Sequence, residues 1–548
     1  MPNILDQNLA ELALKRSPHP NPAMKAFVAL VSAMSRNGHS CLDLSRLDDI
    51  RLPETDAAEQ EAIANLALSE FPAAAFQDHP LLVYNAPRLS LKHLADKEHA
   101  VGAGLLRLAQ ERLSPSKAAL DKLAELFPSG ALKKYPERAD TQKVAAFAAL
   151  LSRLTVITGG PGTGKTTTVR RLIAVLRAET PGLRIALAAP TGKAVNRLNQ
   201  SLKQDSLQAS TLHRLLEFMP EKGFRRNATR PLAADLVVID EVSMVGLDLF
   251  YALIQALPPE CRLILLGDKD QLEAVETGSV LADLAASAAP LNHFSQEFIN
   301  ANPHPELLRL AENDHPLHDR VVSLEYTYRS EDAPELAAAA VEINSGRVPS
   351  LPSCDPVEWL QRHRADFLPV GQPSLNEVER LLGKARILAA VNQGSLGVEG
   401  LNILACQALF HRQPSQVFAG KQIIVTANSY QDGLYNGDTG VMLPDDNGEL
   451  RAWFPGPDGL RSFTPAFLPP HQCAFAITVH KSQGSEFGDI LFVFPERDNR
   501  VLSRPLLYTA VTRAKHQAML HDPAHLLDSV VGRINQPHTG LFSLMRST

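Results

Sequence analysis

Residues 159–166 read GGPGTGKT and lie between the apolar run LTVIT and the helix-like run TTTVRRLIAVL. Glycines here allow successive backbone N–H groups to curl around a phosphate chain, and a helix amino terminus adds partial positive charge. The lysine of such a loop places its charge on the β and γ phosphates, and the next hydroxyl binds Mg²⁺. The pattern predicts a phosphate-loop ATPase that holds ATP with Gly159, Gly160, Pro161, Gly162, Thr163, Gly164, Lys165, Thr166 and Thr167, and Mg²⁺ with Thr166.

Four apolar runs, LTVITGG, RIALAAP, DLVVIDE and RLILLGD, alternate with helix-like segments. Such runs are typical of parallel strands buried on both faces, where ligands bind at the carboxyl ends. Asp240 and Glu241 end the third run, so we expect Asp240 to bind Mg²⁺ and Glu241 to polarise the attacking water. Gln271 follows the fourth run, where it is placed to contact the γ phosphate or the attacking water.

The same pattern divides the chain into three parts. Residues 1–110 carry apolar residues at helical spacing, as in AMKAFVALVSAM and EQEAIANLALSEF, and predict a helical, self-contained docking domain. Residues 111–330 form the first α/β domain, and residues 331–548 form a second one with the runs ARILAAV, QIIVTAN, AFAITVH and ILFVFP. Within it, residues from about 420 to 470 alternate around Asn-Gly turns and predict a small β insertion. The proline-rich stretch 348–373 is interpreted as a surface excursion.

The order of the motifs resembles that of superfamily 1 helicases. After Gln142 and the phosphate loop come AAPTGKAVNRL, STLHRLL, VVIDEVSM, LGDKDQL, YTYRS, AITVHKSQGSEF and LLYTAVTRAK. The resemblance implies two RecA-like motor domains that clamp one nucleotide. It implies that Gln142 reads the adenine edge, Tyr328 stacks on the adenine and Glu486 holds the ribose. It also implies that Arg329 and Arg513 reach the γ phosphate from the second domain. Two guanidiniums suit a transition state whose charge lies on three oxygens.

The resemblance also implies a single-strand path that contacts phosphate and sugar without reading sequence. The residues that match it are Thr191, Lys193, Thr211, His213, Thr478, His480 and Lys481. The segment GFRRNATRPLAADL, residues 223–236, resembles a short strand-separating hairpin, which we expect near residues 216–233. Its Phe224 is either the residue at the duplex junction or an ordinary turn aromatic.

Within the superfamily the sequence is most similar to the RecD branch, which contains the α subunit of exodeoxyribonuclease V (RecBCD). TQKVAAFAAL, PTGKA, ASTLHRLL, GDKDQLEAVETGSVLADL, LYNGDTGVM and, in the first domain, GHSCLDLS carry this similarity. It implies an SH3-like barrel for the β insertion and 5′-to-3′ helicase activity on single-stranded DNA at a duplex end or junction. It further implies a heterotrimer with RecB-like and RecC-like subunits, acting in double-strand break repair and recombination. No nuclease constellation is recognised, so we expect nuclease chemistry to lie in the partners.

Composition sets wider bounds. A chain of 548 residues is too long for one core, and no apolar stretch approaches the roughly 18 residues of a membrane span. Five cysteines without a CxxC pair argue against a zinc or iron–sulfur site and for a reducing compartment, so we expect a cytoplasmic protein. The net charge of −6 neither favours nor excludes nucleic acid, because a single-strand groove needs only local positive charge. Two alternatives stay open: a helicase that acts alone, and a nucleotide-dependent scaffold or switch that does not translocate.

Overall fold

The fold is that of a computed structural model, which describes residues 3–49, 71–132, 134–202, 207–274, 276–313, 315–328, 332–429, 431–456, 459–534 and 537–546. Arg329 and most of the segment EQEAIANLALSEF therefore lie outside the described residues. None of the described helices is long and apolar enough to cross a membrane.

The amino-terminal segment combines helices with a small sheet. Its elements are α1 Ile4–Arg16, α2 Met24–Ser35, β1 Cys41–Asp43, β2 Leu82–Asn85, β3 Arg88–Leu91 and α3 Lys92–Gln110. The three strands form an antiparallel sheet in the order β1-β3-β2. The helical prediction holds for AMKAFVALVSAM, which is α2, but it omitted this sheet.

The amino-terminal segment is not self-contained. Buried Val101 and Leu105 of α3 belong to one continuous apolar cluster that includes Val237 and Leu253. The approach of α3 to its neighbour is so close that a Cβ on Gly104 would lie 2.4 Å from Cγ2 of Ile254. The prediction of an independent domain is therefore wrong, because this segment covers one face of the sheet that follows.

The next part of the chain forms a six-stranded sheet, here called the first sheet. In chain order this part of the chain contains α4 Lys117–Leu126, α5 Thr141–Leu151, β4 Leu154–Thr158, α6 Lys165–Glu179, β5 Ile185–Ala189, α7 Gly192–Ser201, β6 Ala209–Thr211, α8 Leu212–Leu215, β7 Phe218–Met219, β8 Gly223–Phe224, β9 Leu236–Ile239, α9 Leu247–Ala256, β10 Arg262–Gly267, α10 Val280–Ser287, β11 His293–Phe294, α11 Gln296–Ala301, β12 Arg309–Leu310 and β13 Val321–Ser323, and six of these strands form the first sheet. The order is β13-β4-β10-β9-β5-β6 and every neighbouring pair is parallel.

The first sheet is buried on both faces, as its apolar runs predict. In β9, Val237 and Ile239 enter the core on the side of the amino-terminal segment, whereas Leu236 and Val238 enter the core formed with α4, α5 and α6. This alternation follows the two-residue period of a strand. All four predicted strands are confirmed, and their carboxyl ends meet at one edge.

The second sheet has four parallel strands in the order β20-β14-β21-β22. The chain supplies α12 Pro334–Asn344, α13 Pro356–Arg362, α14 Arg364–Phe367, α15 Leu375–Gly383, β14 Ala385–Ala389, α16 Val398–Phe410, β15 Gln422–Val425, β16 Thr439–Pro444, β17 Leu450–Gly456, β18 Gly459–Phe463, β19 His471–Cys473, β20 Ala476–Thr478, α17 Val479–Ser482, β21 Phe487–Val493, α18 Arg504–Val511, β22 Ala514–His521, α19 Leu527–Val531 and α20 Leu541–Arg546. The α/β fold with two parallel sheets, typical of RecA-like motor domains, is thus confirmed.

The β insertion lies between α16 and β20. Strands β15 to β19 form an antiparallel sheet in the order β18-β17-β16-β15-β19. The run QIIVTAN is β15, so it belongs to this sheet and not to the second parallel sheet. That the insertion closes as an SH3-like barrel stays a prediction.

The chain returns to the amino-terminal segment at its end. The backbone N–H groups of Ser40 and Cys41 both donate to the carbonyl of His538, at 3.0 and 3.2 Å. Buried Glu98 accepts hydrogen bonds from the N–H of Gly540 at 2.9 Å and the hydroxyl of Ser40 at 2.5 Å. Helix α20 then packs on α3 and α10. The part of the chain after the second sheet is therefore fixed to the first half of the molecule.

The proline-rich stretch is not a surface excursion. Trp359 of α13 and Phe367 of α14 are fully buried, with ring centroids 6.0 Å apart, in the core beneath the second sheet. Pro356 begins α13 after Asp355, which caps it through Val357 N–H at 2.8 Å. The prolines here begin helices and do not mark a loop.

We expect Trp359→Ala to lower the free energy of unfolding by about 3 to 5 kcal/mol, because it removes a fully buried indole. Denaturant unfolding followed by circular dichroism measures this. Val357→Ala is the matched control, since Val357 lies on the same helix and is 37% exposed. Equal destabilisation by the two variants would contradict the buried position.

Candidate functional site: a nucleotide cleft between the two sheets

The phosphate loop follows β4 and ends where α6 begins. Gly162 and Gly164 have φ angles of 79° and 80°, a backbone region that favours glycine. The ammonium of Lys165 donates to the carbonyls of Gly159 and Gly160 at 2.5 and 3.1 Å. The loop therefore forms a tight cradle that Lys165 folds across.

Two predicted base-binding residues hold this loop. The side-chain amide of Gln142 donates to the carbonyl of Thr163 at 3.0 Å, and Asp140 caps its helix. On the opposite side, the N–H of Tyr328 donates to the carbonyl of Gly162 at 2.9 Å. The Tyr328 side chain is 47% exposed. The structure thus brings both residues to the loop, as the adenine role requires.

The strand-end acids lie next to the loop. Asp240 follows β9 and accepts a hydrogen bond from the N–H of Glu241 at 2.9 Å. Glu241 itself has a φ of 54°, which turns its side chain out of the strand direction. Burial, and next the charge of Glu241, raise the pKa of the Asp240 carboxyl, while Lys165 and Arg197 oppose this shift.

The second sheet contributes Arg513 and Glu486 to the same cleft. Arg513 is 2% exposed and donates to the carbonyls of Thr509 at 3.2 Å and Ser485 at 3.3 Å. Burial lowers its pKa, but Glu241 and Glu486 act in the opposite direction. An arginine of the second sheet therefore lies within the electrostatic reach of the acid that ends β9.

Hydrogen bonds that the sequence did not reveal join the part of the chain that forms the first sheet to the part that forms the second sheet. The buried carboxylate of Asp268 accepts from the amide of Gln271 at 2.9 Å and from the hydroxyl of Tyr508 at 3.1 Å. The N–H of Leu272 donates to the hydroxyl of Thr509 at 2.7 Å. Gln271, the predicted γ-phosphate sensor, is thus connected through one carboxylate to helix α18.

These elements enclose a cavity of about 480 Å³. Its lining residues are Gln142, Pro161, Gly162, Thr163, Gly164, Lys165, Thr166, Thr167, Arg171, Arg197, Asp240, Glu241, Gln271, Tyr328, Glu486 and Arg513. Gly159 and Gly160 of the loop are not among these lining residues, and Arg329 lies outside the described residues. Arg171 and Arg197 were missed by the sequence analysis, because a single arginine on a helix carries no signal of the cleft that it faces. The lining includes four basic side chains (Lys165, Arg171, Arg197 and Arg513) and three acidic ones (Asp240, Glu241 and Glu486).

The donor set fits Mg²⁺. The hydroxyl-bearing Thr166 and the carboxylate-bearing Asp240 line the same cavity, and Mg²⁺ prefers one or two carboxylates together with phosphate oxygens and water. The charge of Lys165 opposes the rise that burial causes in the pKa of Asp240, so Asp240 lies near Lys165 at the end of the cavity where the phosphates are expected.

The three threonines predicted to contact DNA share one position. Thr191, Thr211 and Thr478 each follow or end a parallel strand, and each hydroxyl accepts a backbone N–H as a helix cap, at 3.2 to 3.3 Å. A capping hydroxyl still has its own hydrogen to donate. Each hydroxyl therefore has a structural role as a cap and one hydrogen left to donate.

The lysines predicted to contact the DNA strand are partly buried, and so is His480. Lys193 lies 6.0 Å from the ring centroid of Phe487, and burial lowers its pKa to about 8. Burial also lowers the pKa values of His480 and Lys481. Lys193 thus faces the second sheet.

The predicted pin is a short hairpin in which Phe218 is opposite Phe224. Phe224 is half-buried on the core of the first sheet, whereas Phe218 is 42% exposed. His213 stands beside both, with ring centroids 5.3 and 5.9 Å away. The more exposed aromatic ring of the hairpin is therefore Phe218 and not the predicted Phe224.

A phosphate loop with strand-end acids on one parallel sheet, facing an arginine on a second, defines a phosphate-loop ATPase whose nucleotide lies between two domains. Family models agree: an AAA domain matches residues 142–277, a UvrD-like helicase C-terminal domain matches 473–521, and the RecBCD enzyme subunit RecD, N-terminal domain, matches 3–87. The RecBCD enzyme subunit RecD of Mycobacterium tuberculosis is 33% identical over all of this chain and 95% of that protein. The chain belongs to the RecD family.

Other relatives widen this picture. The RecBCD enzyme subunit RecD of Haemophilus influenzae is 32% identical over 77% of the chain and 74% of that protein. The ATP-dependent RecD2 DNA helicase of Deinococcus radiodurans is 31% identical over 89% of the chain and 64% of that protein. Among solved structures, the Pif1 helicase from Candida albicans is 16% identical with a TM-score of 0.38, covering 79% of the chain and 99% of its own.

We expect Gly164→Ala to weaken ATP binding at least about tenfold, a loss of about 1.4 kcal/mol. Its Cβ would lie 2.5 Å from the Gln142 amide nitrogen, and its φ is +80°. Equilibrium binding of a fluorescent ATP analogue measures this.

Gly182→Ala is the control for backbone strain alone, because its φ is +82° and nothing lies within 4 Å of the added Cβ. It should cost about 1 to 2 kcal/mol of stability and leave nucleotide affinity unchanged. Equal loss of affinity in both variants would contradict the packing of Gln142 on the loop.

Proposed function

We propose that this chain is an ATP-dependent DNA helicase that moves 5′ to 3′ on single-stranded DNA, as the RecD-type motor of a RecBCD-like helicase–nuclease in double-strand break repair. The observation that carries the proposal is the cavity lined by a phosphate loop from the first sheet and by Arg513 and Glu486 from the second. A site divided between two domains converts nucleotide binding and hydrolysis into relative domain movement, which a translocating motor needs.

The roles proposed in nucleotide binding are those that the family resemblance implies, and their support is that most of these residues line the cavity. Gln142 and Tyr328 flank the loop and take the adenine, Glu486 takes the ribose, and Lys165 with residues 159–167 takes the phosphates. Thr166 and Asp240 hold Mg²⁺, which neutralises phosphate charge when bound.

Hydrolysis uses groups from both sheets. Glu241 orients and polarises the attacking water, Gln271 senses the γ phosphate, and Arg513 stabilises the charge of the transferring phosphoryl group. Arg329 is proposed for the same role as Arg513 on the resemblance of YTYRS alone. Because Arg513 is on the second sheet, its contribution depends on how the cleft closes.

The single strand runs along the carboxyl ends of both sheets. Thr191, Lys193, Thr211 and His213 belong to the first sheet, and Thr478, His480 and Lys481 to the second. Hydroxyls and cations at these loop ends bind phosphate and sugar and leave sequence unread. The hairpin with Phe218 and Phe224 is the proposed contact with the duplex junction.

The partners proposed are RecB-like and RecC-like subunits, one of which supplies nuclease chemistry. The amino-terminal segment is the docking surface, and α1 presents Ile4 and Leu5 at 74% and 69% exposure. The family also contains a RecD2 helicase, so an independent motor is the second candidate. The mass of the native assembly distinguishes the two.

Arg513→Ala should bind nucleotide nearly normally and hydrolyse it about 10³-fold more slowly, the magnitude typical of a transition-state arginine. Single-turnover hydrolysis and nucleotide binding are measured on the same preparation. Lys515→Ala, which removes an exposed charge two residues away, is the control and should keep wild-type turnover. Lost binding with preserved turnover at saturating ATP would remove this role.

The direction of movement is tested on two duplexes, one with a 5′ single-strand tail and one with a 3′ tail. Unwinding is expected only from the 5′ tail, with hydrolysis stimulated by DNA and weakened by salt because the contacts are to phosphates. Lys165→Gln, which should not hydrolyse ATP, is the control that shows whether any strand separation occurs without turnover. Unwinding confined to the 3′ tail would overturn the polarity, and equal ATPase rates with and without DNA would favour the switch alternative.

A further inference from the structure

Arg197 lies in the nucleotide cavity between acids of the two sheets. Its guanidinium Nη2 is 3.4 Å from Oε1 of Glu486, and Nη1 is 3.8 Å from Oε1 of Glu241. Burial opposes its charge, but Glu486, Glu241 and Asp240 together raise its pKa above the ordinary value. Arg197 is therefore a charged side chain that connects the acid of β9 with the second sheet.

Contact with a guanidinium restrains a carboxylate. At 3.8 Å the guanidinium is too far from Glu241 to donate a hydrogen bond, but its positive charge attracts the carboxylate and so restrains its orientation. Glu241 is the residue proposed to orient and polarise the attacking water. While Arg197 stays beside it, Glu241 is a weaker acceptor for that water.

Arg197 is on the same helix as the predicted strand contacts. Helix α7 is capped by Thr191, and Lys193 precedes Arg197 by four residues, so the two cations lie on one face about one turn apart. The helix is thus a short rigid connection between the strand-binding end and the nucleotide cavity.

The amino-terminal end of α7, which is proposed to bind the DNA strand, packs against the second sheet and the β insertion. Lys193 faces the ring of Phe487, and a Cβ on Gly192 would lie 3.6 Å from the ring of Tyr435 in the insertion. A strand that binds Lys193 must displace this packing. Because Glu486 directly precedes Phe487 and makes the shorter of the two contacts with Arg197, the same displacement removes the hydrogen bond that holds the guanidinium beside Glu241.

We propose that Arg197 is a positioning residue that restrains Glu241 until a DNA strand engages the amino-terminal end of α7, and so makes ATP hydrolysis depend on DNA. The inference rests on the proposed helicase function and adds the residue by which the strand path controls the cleft. No nucleotide contact by Arg197 is required.

The test is steady-state ATPase activity of the full chain with and without single-stranded oligothymidylate. Arg197→Ala should raise the DNA-free kcat about two- to fivefold, the factor expected when one partly exposed ion pair is lost. The DNA-saturated kcat and the KM for ATP should stay within about twofold of wild type, so the stimulation ratio falls. Arg197→Lys keeps the charge and should restore the low DNA-free rate.

Arg177→Ala is the matched control, because Arg177 is exposed on α6 and does not line the cavity. Arg197→Gln carries the same expectation as Arg197→Ala and replaces it if the alanine variant has a lower Tm. Equal loss of DNA-free and DNA-stimulated turnover, or a change confined to KM, would overturn the inference.

Failure of the proposed function is seen separately, in the wild type. A wild-type chain that neither unwinds nor responds to oligothymidylate removes the helicase proposal. A wild-type chain that responds, together with Arg197 variants that keep its stimulation ratio, removes only the role of Arg197.

Discussion

The main chain between β4 and α6 is the constraint around which the rest of the molecule is arranged. Its two glycines with positive φ create a curve that no longer side chain would adopt without strain. Gln142 and the N–H of Tyr328 then fix this curve through carbonyls at 3.0 and 2.9 Å. The first of these hydrogen bonds comes from α5, which precedes the first sheet in the chain. The second comes from the segment after β13, which follows the sheet. The loop is therefore held by the segments on both sides of the first sheet in sequence.

Contacts across the cleft follow from that fixed loop. Asp268 is fully buried and accepts hydrogen bonds from Gln271 of its own loop and from Tyr508 of α18. Burial raises the pKa of Asp268. A hydrogen-bonded acid of this kind ties the position of Gln271 to that of the second sheet. The cleft therefore couples its chemical groups to domain position through a few short side chains.

The sequence predicted the parts whose chemistry is local and missed those that depend on tertiary proximity. Residues 159–167, Asp240 and Glu241 follow from a strand, a turn and a helix that are adjacent in the chain. Arg197 was missed because its partner Glu486 is 289 residues away and no neighbouring residue signals the contact, whereas Glu486 itself was reached through family resemblance. Arg513 was reached only through family resemblance, since an arginine near the start of a strand is usually a surface charge.

Short elements and shared cores explain the errors in predicting the fold from the sequence. Strands β1, β2 and β3 have three or four residues each, too few for a periodic signal. Helix α13 has seven residues and begins with proline, so the sequence predicted a surface excursion at the buried Trp359. The apolar face of α3 predicts that this helix is buried, but it does not identify the first sheet as the surface on which the helix packs.

The return of the chain to its amino-terminal segment sets the axis of any domain movement. The chain leaves the part that carries the first sheet after Tyr328, which is hydrogen-bonded to Gly162. It returns to the amino-terminal segment at His538, which is hydrogen-bonded to Ser40 and Cys41. A body joined to another at two anchored points rotates most easily about the line through them, because any other rotation must stretch a linker. One anchor lies on the phosphate loop itself. Opening and closing would therefore pivot beside the nucleotide, and the largest displacement would fall on the parts of the second half farthest from that line.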